Sequence, residues 1–269
     1  MTTLDTRASR TGDRASPALL GLLGVLAFGG LLEVAPRIGV VPSQFAPPAS
    51  QILVALRGQL ARPEFWTALN STIRTWMTGL AIAVIAGVVI GVIIGAEPVL
   101  REITASTIEF LRPIPSVALI PLVVLVYPPL RAIIVLVVYA SFWQMLVQVQ
   151  HGVADIDPVA LDTARSYRLN RWARIRYVIW PTVLPYAMIG LRLATAVALI
   201  LTVTGEMVIG GSAGLGREIS IAKESNLPAA MYALVVVAGI LGLIANLVTR
   251  AAERRILRWH QSIRKETPV

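Results

Sequence analysis

What most limits this chain is a succession of long apolar runs that carry almost no charge. Residues 75–96 and 229–249 contain no Asp, Glu, Lys or Arg at all. An α-helix needs about 20 mostly apolar residues to cross the hydrocarbon core of a bilayer. Residues 15–32, 114–127 (extended toward 104), 132–150 and 183–204 are four further candidates, the last interrupted only by Arg192. The sequence therefore predicts an all-α integral membrane protein with about six transmembrane helices. Residues 1–14 read as an N-terminal tail, 15–250 as the membrane domain and 251–269 as a C-terminal tail. Composition agrees: 14% of the residues are charged, against about 25% in soluble domains. The first run follows Arg7, Arg10 and Arg14 as a signal peptide would. It is long for one, and Glu33-Val34-Ala35-Pro36 is no small-x-small cleavage site, so an uncleaved first helix is expected.

The net charge of +9 resides between the runs rather than on one soluble face, which argues for membrane topology and against nucleic-acid binding. With six spans, sixteen of the 24 Lys and Arg residues fall on the side of the two tails and six on the other. Loops rich in Lys and Arg stay in the cytoplasm. Both termini are expected there, in a multi-pass protein of the cell inner membrane. The chain has no cysteine, which removes thiolate ligands and nucleophiles, and two histidines, His151 and His260, placed as interfacial residues. No metal site and no catalytic residue is expected.

Two connections exceed simple turns. Residues 36–70 lie outside by this topology, and 50–62 suit a short amphipathic helix at the membrane surface. Residues 151–181 lie inside and are the more informative. Asp157-Pro158 is a helix start, since aspartate caps free amides and proline suits the first helical position. One helix is expected to run to about Arg168. Asn170 offers a second cap, with Trp172, Ile175 and Ile179 at helical spacing behind it. Two short helices joined by a bend make a docking element.

This loop resembles the cytoplasmic signature of type I importer permeases of the ATP-binding-cassette class: E-A-A, a glycine four residues on, and later I-x-L-P. Here the stretch reads Asp162-Thr163-Ala164, then Arg168, then Ile179-Trp180-Pro181. Arg168 replaces the glycine, and arginine at a bend does not take positive φ cheaply. Either the bend is reshaped or Asn170 supplies the permissive position. Leu111-Arg112-Pro113-Ile114-Pro115, Ala118-Leu119-Ile120-Pro121-Leu122, Val41-Pro42-Ser43, Ala164-Arg165-Ser166-Tyr167 and Gly190-Leu191-Arg192 resemble the nitrate/sulfonate/taurine branch. Tyr127-Pro128-Pro129-Leu130 departs from it.

The resemblance implies a permease subunit that works with a cytoplasmic ATPase dimer, a second permease subunit (a homodimer) and an extracytoplasmic solute-binding protein. ATP and Mg would be bound by the ATPase, and no cofactor by this chain. Pro158, Asp162, Thr163, Ala164, Arg165, Arg168, Ile179 and Pro181 would couple it to that ATPase. The chain itself has no G-x-x-x-x-G-K-[ST]; Gly210–Gly216 is glycine-rich but lacks the lysine, and reads as a flexible outer loop. Third and fifth spans would line the pathway. On the fifth, Thr195, Leu199, Thr202 and Glu206 share one helical face and are the candidate lining residues. Arg192 must snorkel or pair. The expected solute is a sulfonate, taurine or nitrate, with a vitamin-precursor pyrimidine as the alternative. A secondary transporter or a non-transport scaffold are the rival classes.

Overall fold

A computed structural model describes residues 17–42, 45–211 and 213–259. The tail residues Arg7, Arg10, Arg14, His260, Arg264 and Lys265, and Ser43 in its motif, lie outside them. In chain order the helices are α1 (Pro17–Arg37), α2 (Ala49–Leu60), α3 (Pro63–Ala96), α4 (Pro98–Leu111), a 3-10 turn Ser116–Leu119 leading into α5 (Ile120–Val126), and α6 (Pro129–Ala154). Then come α7 (Pro158–Ser166), α8 (Arg171–Arg174), a π turn Ile175–Ile179, α9 (Trp180–Ile209), α10 (Leu215–Glu224) and α11 (Pro228–Ile256). No strand occurs among the described residues. Proline opens α3, α4, α6, α7 and α11, where its missing N–H is no loss.

Among the described residues, four helical runs are long and apolar enough to cross a membrane: Pro63–Ala96, Pro129–Ala154, Arg171–Ile209 and Pro228–Ile256. The third expected span is corrected. Pro113 and Pro115 break it, and α4 meets the segment Ser116–Val126 at 81°. Eleven residues of helix rise about 17 Å, too little for a core about 30 Å thick. This bent pair is at most one broken span, the fifth of the set. Tyr139 donates its hydroxyl to the Leu111 carbonyl at 2.6 Å and holds the break against α6.

The centre is a three-helix stack of α3, α6 and α9. Small residues make it close. Gly79, Ala83, Gly87, Gly91 and Gly95 recur every four residues on α3 and are buried. A Cβ at Gly87 would lie 2.6 Å from Met145 Cβ, and one at Gly91 2.9 Å from Val149 Cβ. Such rails let backbones approach where lipid offers no hydrophobic drive. Gly190 and Gly205 do the same for α9 against Met145 and Ile133 of α6. Trp76 donates to the Thr195 carbonyl (3.2 Å) and Ser141 to the Ala194 carbonyl (3.3 Å), crossing between helices.

Peripheral helices bury less. α2 packs on α11 through Ile52, the short helix expected over 50–62. α1 packs against α2, with Leu23, Leu26 and Leu31 exposed. The joint is polar: Ser50 donates N–H (2.8 Å) and hydroxyl (3.0 Å) to the Glu33 carboxylate, which also pairs with Arg37.

Candidate coupling and pathway elements

The loop after α6 is built as its residues dictate. The Asp157 side chain accepts from the Val159 N–H at 2.8 Å, Pro158 takes the first helical position, and α7 follows. It ends at Ser166, two residues short of the expected Arg168. Leu169 N–H donates to the Ala164 carbonyl (3.0 Å) and Arg168 N–H to the Arg165 carbonyl (2.9 Å). That pair of bonds requires a left-handed residue between helix and exit, usually glycine. Arg168 fills it, at φ 53°. The bend is therefore not reshaped, and Asn170 is not the permissive position: at φ −65° it caps α8, accepting from the Ala173 N–H at 2.7 Å. The α10 exit repeats the motif, with Asn226 at φ 54°.

The second loop helix is also corrected. α8 is no separate element, because Arg171–Ile209 is one helical run, with the π turn Ile175–Ile179 inside it. Pro181 follows directly. Its ring and missing N–H disturb the preceding turn, and an extra residue in that turn relieves the clash. Ile179 lies in the π turn and Pro181 in the first turn of α9, both half-buried.

Pro158, Asp162, Thr163, Arg165 and Arg168 are exposed, Asp162 and Arg165 pairing at 2.9 Å. Ala164 is the exception, only 4% exposed. It is already covered by this chain, so its small size serves the seating of α7, which packs on the π turn Ile175–Ile179. Val159, Tyr167, Trp172 and Tyr177 form the outward apolar set, each about 70% exposed or more. The sequence reading passed over Val159 and Tyr177 as surface residues.

On α9 the four candidate residues divide. Thr195 and Leu199 border a cavity of about 620 Å³ between α9 and α11, although Thr195 bonds its hydroxyl to the Leu191 carbonyl. Thr202 is fully buried and bonds the Ala198 carbonyl at 2.8 Å. Glu206, 2% exposed, turns inward. It accepts from Thr72 of α3 (2.9 and 2.8 Å) and from the Gly216 N–H (3.0 Å), while Thr72 accepts from the Leu215 N–H (2.8 Å). The first two amides of α10 are thus capped by side chains from two other helices. Gly214 leaves room for the carboxylate, and a Cβ at Gly216 would strike the Val203 carbonyl. Of the glycine-rich stretch, Gly214 and Gly216 pack over Glu206, whereas a Cβ at Gly210 or Gly211 would meet nothing within 4 Å. Arg192 pairs with Glu253 at 3.5 Å.

An all-α stack of apolar helices with a broken pair and a capped polar loop defines a membrane permease of the type I importer fold. The crystal structure of an amino acid ABC transporter with histidines superposes at TM-score 0.59, with 20% identity over 72% of this chain and 94% of that one. The inward-facing MetNI methionine ABC transporter does so at 0.55, with 19% identity over 78% and 98%. The chain belongs to the family of binding-protein-dependent transport system inner membrane components, whose pattern it matches over residues 83–258. Among its relatives are the taurine transport system permease protein of Escherichia coli K12, 29% identical over 81% of this chain and 82% of that one, and the bicarbonate transport system permease protein of Synechococcus elongatus, 26% identical over 89% and 90%.

Proposed function

We propose that this permease subunit carries a small oxyanion inward through the membrane, driven by a separate ATPase that docks on the α7 loop. The observation that carries the solute class is the set of relatives spanning four-fifths of the chain or more. Those whose names give a solute are named for taurine, bicarbonate and, in Bacillus subtilis, aliphatic sulfonates, all small oxyanions. The docking reading is supported by Val159, Tyr167, Trp172 and Tyr177, exposed apolar and aromatic residues interspersed with basic ones along a loop whose helix is fixed at both ends. Aromatic residues ringed by charge are the usual anchors of protein contacts.

In this reading α1 and the bent α4–α5 pair complete a six-span topology, and both termini face the cytoplasm. Two copies of the chain enclose the solute route, and an external binding protein loads it. ATP binding closes the ATPase dimer, α7 transmits that movement, and the continuous helical run Arg171–Ile209 carries it into the membrane. The test is uptake of taurine, an alkanesulfonate, nitrate and bicarbonate by proteoliposomes holding the permease, its ATPase and its binding protein. ATP-dependent uptake of one of them is expected. Uptake without ATP would make the chain a secondary transporter, and no uptake of any anion would overturn the solute class.

A further inference from the structure

The cavity between α9 and α11 has two chemically different parts. Along most of its length the wall is apolar, with Ala196 and Ile200 of α9 facing Val235 and Gly239 of α11. At one end stand Arg192, Asn246 and Arg250. Arg250 directly follows the charge-free stretch 229–249, which places that end at a membrane–water boundary. From Arg192 to Thr204 the helix rises about 18 Å. One leaflet is half of a hydrocarbon core about 30 Å thick, so the groove is about one leaflet long.

A second recess, about 650 Å³, opens beside the first and shares Arg250 with it; Arg254, Arg255 and Arg258 line it too, with Leu247 and Ala251. Against these guanidiniums and Arg192 stands Glu253, the single carboxylate of α11, which lies 3.5 Å from Arg192. The headgroup end therefore keeps a surplus of positive charge.

We infer that this groove is a binding site for an anionic phospholipid. One acyl chain lies between α9 and α11, and the phosphate is held by Arg250 with Arg192, Arg254 and Arg258 around it. Basic pockets between membrane helices suit such headgroups. A small hydrophilic solute would use the arginines and gain nothing from the apolar wall, whereas a phospholipid is complementary to both. At Gly239 a Cβ would meet nothing within 4 Å, which leaves width for a chain to pass.

The experiment titrates the full-length chain in detergent with phosphatidylglycerol and with phosphatidylcholine of the same acyl chains, and counts bound lipid by native mass spectrometry. Phosphatidylglycerol should be retained preferentially. Arg192→Gln and Arg250→Gln should each reduce that preference, roughly fivefold per arginine, and Gly239→Leu should expel both lipids by filling the groove. Equal retention of the two lipids by the native chain would overturn the inference. So would displacement of phosphatidylglycerol by taurine, bicarbonate or inorganic phosphate, which would make the arginines a free-anion site. The chain has no cysteine, so Gly239→Cys also reports a second copy. Efficient disulfide cross-linking between two copies with no lipid bound would assign the groove to the subunit interface instead. If Gly239→Leu does not fold, the two arginine variants still decide.

Discussion

Glu206 and Thr72 hold three helices at one point. The Thr72 hydroxyl donates to the Glu206 carboxylate of α9 and at the same atom accepts the first amide of α10, from a position on α3 with no solvent exposure. Gly216 donates the second amide of α10 to the same carboxylate. α10 has no cap of its own, since Gly214 stands at its start. A carboxylate near a helix N-terminus is favoured by the aligned peptide dipoles, and α10 presents its N-terminus to Glu206.

Thr72→Val should therefore be costly despite its similar shape. It leaves the Leu215 N–H and a carboxylate oxygen unpartnered at once, each worth about 1–3 kcal/mol when buried. Thr72→Ser restores the hydroxyl and should retain native stability. Thermal unfolding of the detergent-purified chain separates the two; equal midpoints for Val and the native residue would show that the clasp contributes nothing.

The α3 rail makes a second prediction. Gly87→Val puts two methyl groups against Met145 where even a single added Cβ would intrude, and should separate α3 from α6 or prevent folding, at about 1–3 kcal/mol or more. Gly29→Ala on α1 meets nothing within 4 Å and should leave yield and monodispersity unchanged. Loss of yield in the α1 variant with none in the rail variant would reverse the assignment of which helix is central.

Much of this was legible in the residues, and what was not has a physical reason. Asp157-Pro158 and Asn170 marked their caps because capping is local. The rail of small residues at 79, 83, 87, 91 and 95 was equally visible as a spacing of four, but apolar content hid it within a run that reads as one uniform span. The break at Pro113 and Pro115 was overridden by hydropathy, which averages across a bend that prolines enforce. Glu206 was found, on one stripe with Thr195, Leu199 and Thr202, all buried, but what its carboxylate meets was not. Its partners, Thr72 and Gly216, come from other elements, and a stripe on one helix does not say which neighbour it faces.

Arg168 supplies a third prediction. It holds φ 53° at the α7 exit, where the family signature has glycine and where a side chain costs about 1 kcal/mol. Arg168→Gly should stabilise the loop by about that amount, and native-state hydrogen exchange at the Leu169 amide, which bonds the Ala164 carbonyl, should slow. Faster exchange in the glycine variant would mean that the arginine side chain itself holds the bend.

The last prediction separates seating of the loop from docking on it. Ala164 is 4% exposed within this chain, whereas Val159, on the same helix, is 70% exposed. A charge placed at Ala164 enters a site already covered by this chain, where α7 packs on the π turn Ile175–Ile179, and an unpaired buried charge costs several kcal/mol. Ala164→Glu should therefore unseat α7 with no ATPase present, making the peptide bonds around Arg165 and Arg168 more sensitive to trypsin. Val159→Glu meets only solvent in the isolated subunit, so its trypsin pattern should match the native one. When the ATPase is co-expressed both variants should lose it on purification, the first because the loop is misplaced and the second because a charge stands where an apolar anchor is needed. The decisive comparison is trypsin sensitivity of the lone subunit beside ATPase recovery from the complex. A protected Ala164→Glu loop would return that alanine to the partner interface, and full ATPase recovery with Val159→Glu would remove the outward face of α7 from it.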